Sequence, residues 1–182
     1  MNKVTIQLVR EEPLTVAPLV AAYVNATNSD LVLSDDLLDK AGPDVQSECT
    51  QIGWCPVGAA VITNAGQLEI PKIIHTAGPR WGEGAERGKL TNATLECLRL
   101  AESHRLKSIV FPAISTGALG YPVENCAKTM LTQIIDYTFE DLKALRKIIL
   151  ALPTEAAYAA FKQEFKLQLQ ELRETGDGQV KV

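Results

Sequence analysis

The chain has 182 residues, 46% of them hydrophobic and 22% charged, with a formal net charge of −4. That length suits one domain with a sizeable core, and the acidic balance argues against a protein whose main work is gripping duplex nucleic acid. No apolar run approaches the ~20 residues of a membrane span, the first residues do not read as a secretory leader, and the four cysteines form no CxxC pair, so the expectation is a cytoplasmic protein without a metal site.

Residues 4–9 alternate, Val4, Ile6 and Leu8 against Thr5 and Gln7, which predicts a strand with one wetter face. Residues 19–24 form a continuous apolar run, as expected of a strand buried on both sides, and end in the loop signal Asn25-Ala26-Thr27-Asn28. Ser34 is placed to cap a short helix carrying Leu37 and Leu38, which Gly42-Pro43 stops, and residues 44–49 read as a second helical piece. Residues 58–63 and 72–76 are short β-rich runs. Residues 90–106 predict a long amphipathic helix with Leu95, Leu98 and Ala101 inward. Residues 109–114 read as a buried strand, and from Val123 the apolar spacing is helical through Ala127, Met130, Leu131 and Ile134. Residues 147–152 are a further strand, ended by Pro153. Thr154 then caps a last helix with Tyr158, Phe161, Phe165, Leu169 and Leu172 at spacings of three and four. Residues 175–182 lack apolar periodicity and are expected to be a flexible tail behind a single domain of residues 1–174.

Alternating strands and helices predict an α/β fold, a mixed, mostly parallel sheet between helical layers, with ligands at the carboxyl ends of the strands. One segment there carries chemistry. Ser115-Thr116-Gly117-Ala118-Leu119-Gly120-Tyr121-Pro122 lies between a buried strand and a helix start, so unpaired backbone N–H groups and the positive end of the helix dipole both face the loop. Such a place takes an anion, most often phosphate, which points to a nucleotide-like ligand; a tight turn without a ligand is the plainer alternative. Asn25 and Asn28 read as turn residues or as site residues. His75, inside an apolar strand with no carboxylate nearby in sequence, reads as a satisfied core histidine rather than a catalytic base. Cys55 has no assignable histidine partner and reads as structural, as do Cys97 and Cys126. Asp35, Asp36 and Asp39 are most simply acids at a helix start. The surroundings of Trp54 and Trp81 stay open.

Five ordered segments, within residues 24–135, resemble the macrodomain family. Val24-Asn-Ala-Thr-Asn28 resembles its VNAAN signature, Gly42-Pro-Asp-Val-Gln-Ser-Glu-Cys49 its GP…EC helix, and Cys55-Pro-Val-Gly-Ala-Ala-Val-Ile-Thr63 its CPTGEAxIT segment. Ile73-Ile-His-Thr-Ala-Gly-Pro79 resembles the strand ending in HTVGP, and residues 111–122 resemble the second phosphate loop. The resemblance implies a three-layer α/β/α sandwich that binds ADP-ribose; many members also release ADP-ribose from proteins, nucleic acid or O-acetyl-ADP-ribose. The implied partner is ADP-ribose or an ADP-ribosylated macromolecule, with no cofactor and no metal. By position, Ser115, Thr116, Gly117, Ala118, Leu119 and Gly120 would cradle the diphosphate, and Tyr121 would lie beside the distal ribose. Asn25 would shape the first loop, and Asn28 would bond the distal ribose hydroxyls near the scissile bond.

The chain departs from the family in two places. The glycine run that usually follows the second asparagine is absent, and residues 29–39 are about four residues short; Asp36, with Asp39 beside it, is the candidate for the aspartate that positions water. The usual GDI turn is replaced by Arg10-Glu11-Glu12-Pro13, where Glu11 or Glu12 would take the adenine amino group. Tyr158 would stack on adenine or belong to the core. Three functions follow: an ADP-ribose-binding module first, an ADP-ribosyl hydrolase relying on Asn28 and Asp36 as the alternative, and a degenerate interaction module with a closed cleft as the third.

Overall fold

The structure, a computed structural model, describes residues 3–175. Thirteen elements follow in order: β1 (Thr5–Val9), α1 (Pro13–Val16), a 3₁₀ turn (Ala17–Leu19), β2 (Ala22–Thr27), α2 (Asp35–Ala41), α3 (Pro43–Ile52), β3 (Ala60–Thr63), β4 (Lys72–Ala77), α4 (Glu86–Ser103), β5 (Ser108–Phe111), α5 (Val123–Tyr137), β6 (Lys147–Ala151) and α6 (Glu155–Thr175). They build one six-stranded sheet in the order β1-β6-β5-β2-β4-β3. Every pairing is parallel except β3 with β4, so the mixed, mostly parallel sheet expected from the alternation is present.

Side chains alternate across the strands. Val24, Ile74, Ile109, Phe111, Ile148 and Leu150 point into a core with α4, α5 and α6. Tyr23, Ile73, Val110 and Ile149 point into a second core with α1, α2 and α3. Two helical layers therefore sandwich the sheet. Phe111 and Phe161 are fully buried in the first core, where truncation of either to alanine would cost about 3–5 kcal/mol.

Several boundaries differ from the sequence expectation, among them the long helix, which runs Glu86–Ser103 rather than 90–106; three differences in the strands have a direct physical reason. The second strand does not begin at Leu19, which is 78% exposed in the 3₁₀ turn. Pro13 opens a helical turn and Pro18 has no N–H for a central ladder, so the strand starts at Ala22. It then continues through Asn25, Ala26 and Thr27, which were expected in a loop, because β4 pairs with each of them on one edge. β5 stops at Phe111 rather than residue 114, since Pro112 cannot donate to the ladder. The expected caps are present: Ser34 Oγ accepts from Leu37 N–H at 3.3 Å, and Thr154 Oγ1 accepts from Ala157 N–H at 3.2 Å. The last helix includes Thr175, and residues 176–182 of the expected tail lie outside the described residues. Among the described residues no helix is long and apolar enough to cross a membrane.

Candidate functional site

β2 lies between β4 and β5, and the carboxyl ends of these three parallel strands open into a cavity of about 610 Å³. Ligands gather in such a crevice because the chain leaves adjacent strands in different directions there. Asn25 and Thr27 line it from β2, Asn28, Val32, Leu33 and Ser34 from the first loop, and Ala77, Gly78 and Arg80 from the end of β4 and the residues after it. Ser115, Gly117, Ala118 and Leu119 line it from the second loop.

The second loop is a preformed cradle. Ser115 sits at φ +67°, in the left-handed region, which turns the chain sharply after the strand. The turn is locked by Tyr121 N–H donating to Ser115 O at 2.9 Å and Gly120 N–H to Gly117 O at 3.0 Å. Thr116 Oγ1 donates to Ala113 O at 2.8 Å, and Trp81 N–H donates to Leu119 O at 2.9 Å. Among the described residues, the N–H groups of Gly117, Ala118 and Leu119 have no partner. Ser115 Oγ is buried and likewise unpartnered. Three open donors on one concave loop, with an unsatisfied hydroxyl beneath them, are what an anion needs. Space is reserved for it. A Cβ on Gly117 would meet nothing within 4 Å, while one on Gly78 would collide with Ser115 Oγ and stand 2.7 Å from Ile114 Cγ2. Gly78 thus lets β4 pass close under the loop.

The first loop is built differently. Asn28 Nδ2 donates to Val32 O at 3.2 Å, and Asn28 Oδ1 accepts from Val32 N–H at 3.3 Å. Leu31, fully buried at φ +58°, donates its N–H to Asn28 O at 3.1 Å. Gln46 on α3 closes the loop from below, accepting from Leu33 N–H at 2.9 Å and donating to Leu31 O at 3.1 Å. The short, glycine-free segment has therefore turned its N–H groups at 31, 32 and 33 inward. Those three N–H groups are closed to a ligand.

Beneath the site, His75 is fully buried. Its Nδ1 lies 3.1 Å from Asn25 Nδ2, and its Nε2 lies 2.9 Å from Thr63 Oγ1 and 3.6 Å from Cys49 Sγ. Burial lowers its pKa to about 4, so the ring is neutral at physiological pH. The reading of His75 as a satisfied interior histidine matches these contacts. All four cysteines are free and buried, and burial raises each thiol pKa, which leaves them un-ionised.

The remaining sequence candidates are placed elsewhere. Asp36 lies outside the cavity lining, exposed and 3.3 Å from Lys40 in an i,i+4 ion pair; Asp35 and Asp39 are also absent from the lining. These three acids therefore place no carboxylate on the lining. Thr116 and Gly120 shape the second loop without lining the cavity. Tyr121 is buried behind that loop, edge-on to Trp81 with ring centroids 5.0 Å apart, and it lines a neighbouring cavity with Glu86 and Lys128. Glu12 is exposed at the start of α1; burial first, then Asp36 and Glu12, raise the phenol of Tyr23 to about 12. Tyr158 lines a groove between β1 and α6, with the Lys162 ammonium 5.9 Å from its ring centre. Arg80, which sequence reasoning missed, is the one cation lining the main cavity among the described residues, and its Nε lies 3.5 Å from Glu83. Its signal was positional: it follows directly on the carboxyl end of a parallel strand. Among the described residues no three His, Cys, Asp or Glu side chains converge as a metal site.

Comparison with known proteins bears on this arrangement. The Macro domain family model matches residues 24–130. The O-acetyl-ADP-ribose deacetylase of Salmonella typhimurium is 36% identical over 169 residues, which are 87% of this chain and 89% of its own. A Macro domain-containing protein of Caldanaerobacter subterraneus is 37% identical over 157 residues, 81% of this chain and 89% of its own. The solved Oceanobacillus iheyensis macrodomain with ADP superposes with a TM-score of 0.84 at 29% identity, over 93% of this chain and 94% of that one. With a matched family model, this fold and a glycine-free first loop, the chain belongs to the macrodomain family, as a divergent member.

Proposed function

We propose that this chain is a single-domain, cytoplasmic module that binds ADP-ribose, free or carried on a macromolecule. The observation that carries the reading is the set of unpartnered N–H groups at Gly117, Ala118 and Leu119 beside the orphaned Ser115 hydroxyl. A diphosphate accepts from such donors without any side-chain charge, and Arg80 at the same cavity supplies one cation. The volume lies within the usual range for small-molecule sites, about 300–1,000 Å³. The distal ribose then falls between Asn25 and Asn28 at the end of β2. The Oceanobacillus iheyensis structure with ADP supports the ligand class. An open cavity speaks against the third reading, a closed and ligand-free interaction surface. Four buried thiols suit a reducing compartment. Calorimetric titration with ADP-ribose tests the proposal: micromolar saturable binding supports it, and absence of heat at several temperatures contradicts it.

Hydrolysis is the second reading, and the identity to the Salmonella typhimurium deacetylase over 87% of this chain favours it. Water would attack with help from positioning and from the substrate phosphate rather than from a strong base. The asparagine and aspartate that would assist are Asn28, engaged with Val32, and Asp36, paired with Lys40 outside the lining. Acetate release from O-acetyl-ADP-ribose decides between a binder and a hydrolase.

A further inference from the structure

His75 and Asn25 form a unit whose polarity can be read from the atoms around it. Thr63 Oγ1 donates to Asn64 O at 2.9 Å, so toward His75 Nε2, also 2.9 Å away, the same hydroxyl acts as acceptor. The ring proton therefore resides on Nε2, and the bare Nδ1 accepts from Asn25 Nδ2 at 3.1 Å. The amide of Asn25 then has one orientation. Its NH₂ end points inward, and its carbonyl oxygen has no partner among the described residues. That oxygen is not among the buried unpartnered atoms, and Asn25 lines the main cavity. Oδ1 is thus a free acceptor presented to the site. The amide of Asn28, three residues on, is closed onto Val32 at both ends.

We infer that His75 is a positioning residue that fixes Asn25 Oδ1 as the acceptor for a hydroxyl of the distal ribose. This rests on the ADP-ribose reading and assigns it a specificity element. A hydroxyl needs an acceptor held still beside the phosphate loop, and the neutral ring supplies the hold. The direct effect is on ligands that carry the second ribose, not on those that end at the diphosphate.

The test is titration of wild type and of His75→Phe, His75→Gln and Asn25→Ser with both ADP-ribose and ADP. Wild type should prefer ADP-ribose. His75→Phe and Asn25→Ser should each lose about tenfold in that preference, the worth of one hydrogen bond, with ADP affinity retained. The double variant His75→Phe/Asn25→Ser should be no worse than either single, since both act through the one acceptor, Asn25 Oδ1. His75→Gln, which keeps an acceptor toward Asn25, should retain most of the preference. A His75→Phe protein with undiminished preference would overturn the inference. So would equal loss of ADP and ADP-ribose binding in all three variants, which marks a structural role alone. A wild type that binds neither ligand would overturn the functional reading and this inference with it.

Discussion

The side chain of Asn28 is closed onto the backbone of Val32, its Nδ2 donating to the carbonyl at 3.2 Å and its Oδ1 accepting from the N–H at 3.3 Å. A residue that the family resemblance assigns to the ligand is here holding its own loop. The neighbouring N–H groups of Leu31 and Leu33 are also taken, by Asn28 O and Gln46 Oε1. Those N–H groups are closed to a ligand, while the N–H groups of Gly117, Ala118 and Leu119 on the second loop are open.

Asn28→Ala should loosen the first loop more than it weakens binding. Two long hydrogen bonds at an exposed site are worth about 1 kcal/mol at most, seen as a slightly lower urea midpoint at constant slope. ADP affinity should stay within about threefold of wild type, as calorimetry would read it.

Gly117→Val should do the reverse. Gly117 does not hold a left-handed backbone and faces open space, so a branched side chain can be accommodated by the fold. Its methyl groups would occupy the volume where phosphate oxygens must come within about 2.9 Å of N–H donors. The thermal midpoint should be unchanged while ADP-ribose affinity drops on the order of a hundredfold. Undiminished affinity would place the ligand elsewhere.

Ser115→Ala separates stability from function. The Ser115 hydroxyl is buried without a partner, and its removal should stabilise the unliganded protein by about 1 kcal/mol. The same change should weaken ADP-ribose binding about tenfold, because the hydroxyl is satisfied only when an anion is bound. Paired melting curves and titrations measure both effects.

His75 predicts an acid-side slope. Its folded pKa is lowered from 6.5 to about 4, so below pH 6.5 the unfolded chain takes up a proton that the folded protein does not. The stabilisation from this group is present above the unfolded value and is lost as pH falls toward the folded one, about 3 kcal/mol in all. Urea midpoints of wild type against His75→Gln, from neutral pH down to about pH 4, isolate it. Identical slopes in the two proteins would remove His75 as the cause.

Much of the fold was legible because local signals agreed with tertiary ones. Ser34 and Thr154 cap where expected, and the alternation of apolar runs assigned the strands to a sheet covered on both faces. The strand start was misread at residue 19 because apolar run length does not reveal that Pro18 blocks a central ladder. The continuation through Asn25–Thr27 is set by pairing with β4, fifty residues away in sequence. At the site, residues 115–120 were marked by the strand, loop and helix-start pattern. Tyr121 and Tyr158 were not separable from them in sequence, since an aromatic ring on a helix or loop carries no sign of which face it will take. Structure places one behind the loop and the other at the β1 edge. Asn28 shows the same limit: its amide is engaged because the loop is short, which depends on Gln46 in another element.

The most direct measurement is the backbone amide spectrum of isotope-labelled protein during titration with ADP. The account predicts downfield shifts at Gly117, Ala118 and Leu119 that saturate together, with Leu31, Val32 and Leu33 nearly still because their N–H groups are already bonded. Shifts centred on residues 31–33 with 117–119 silent would contradict it.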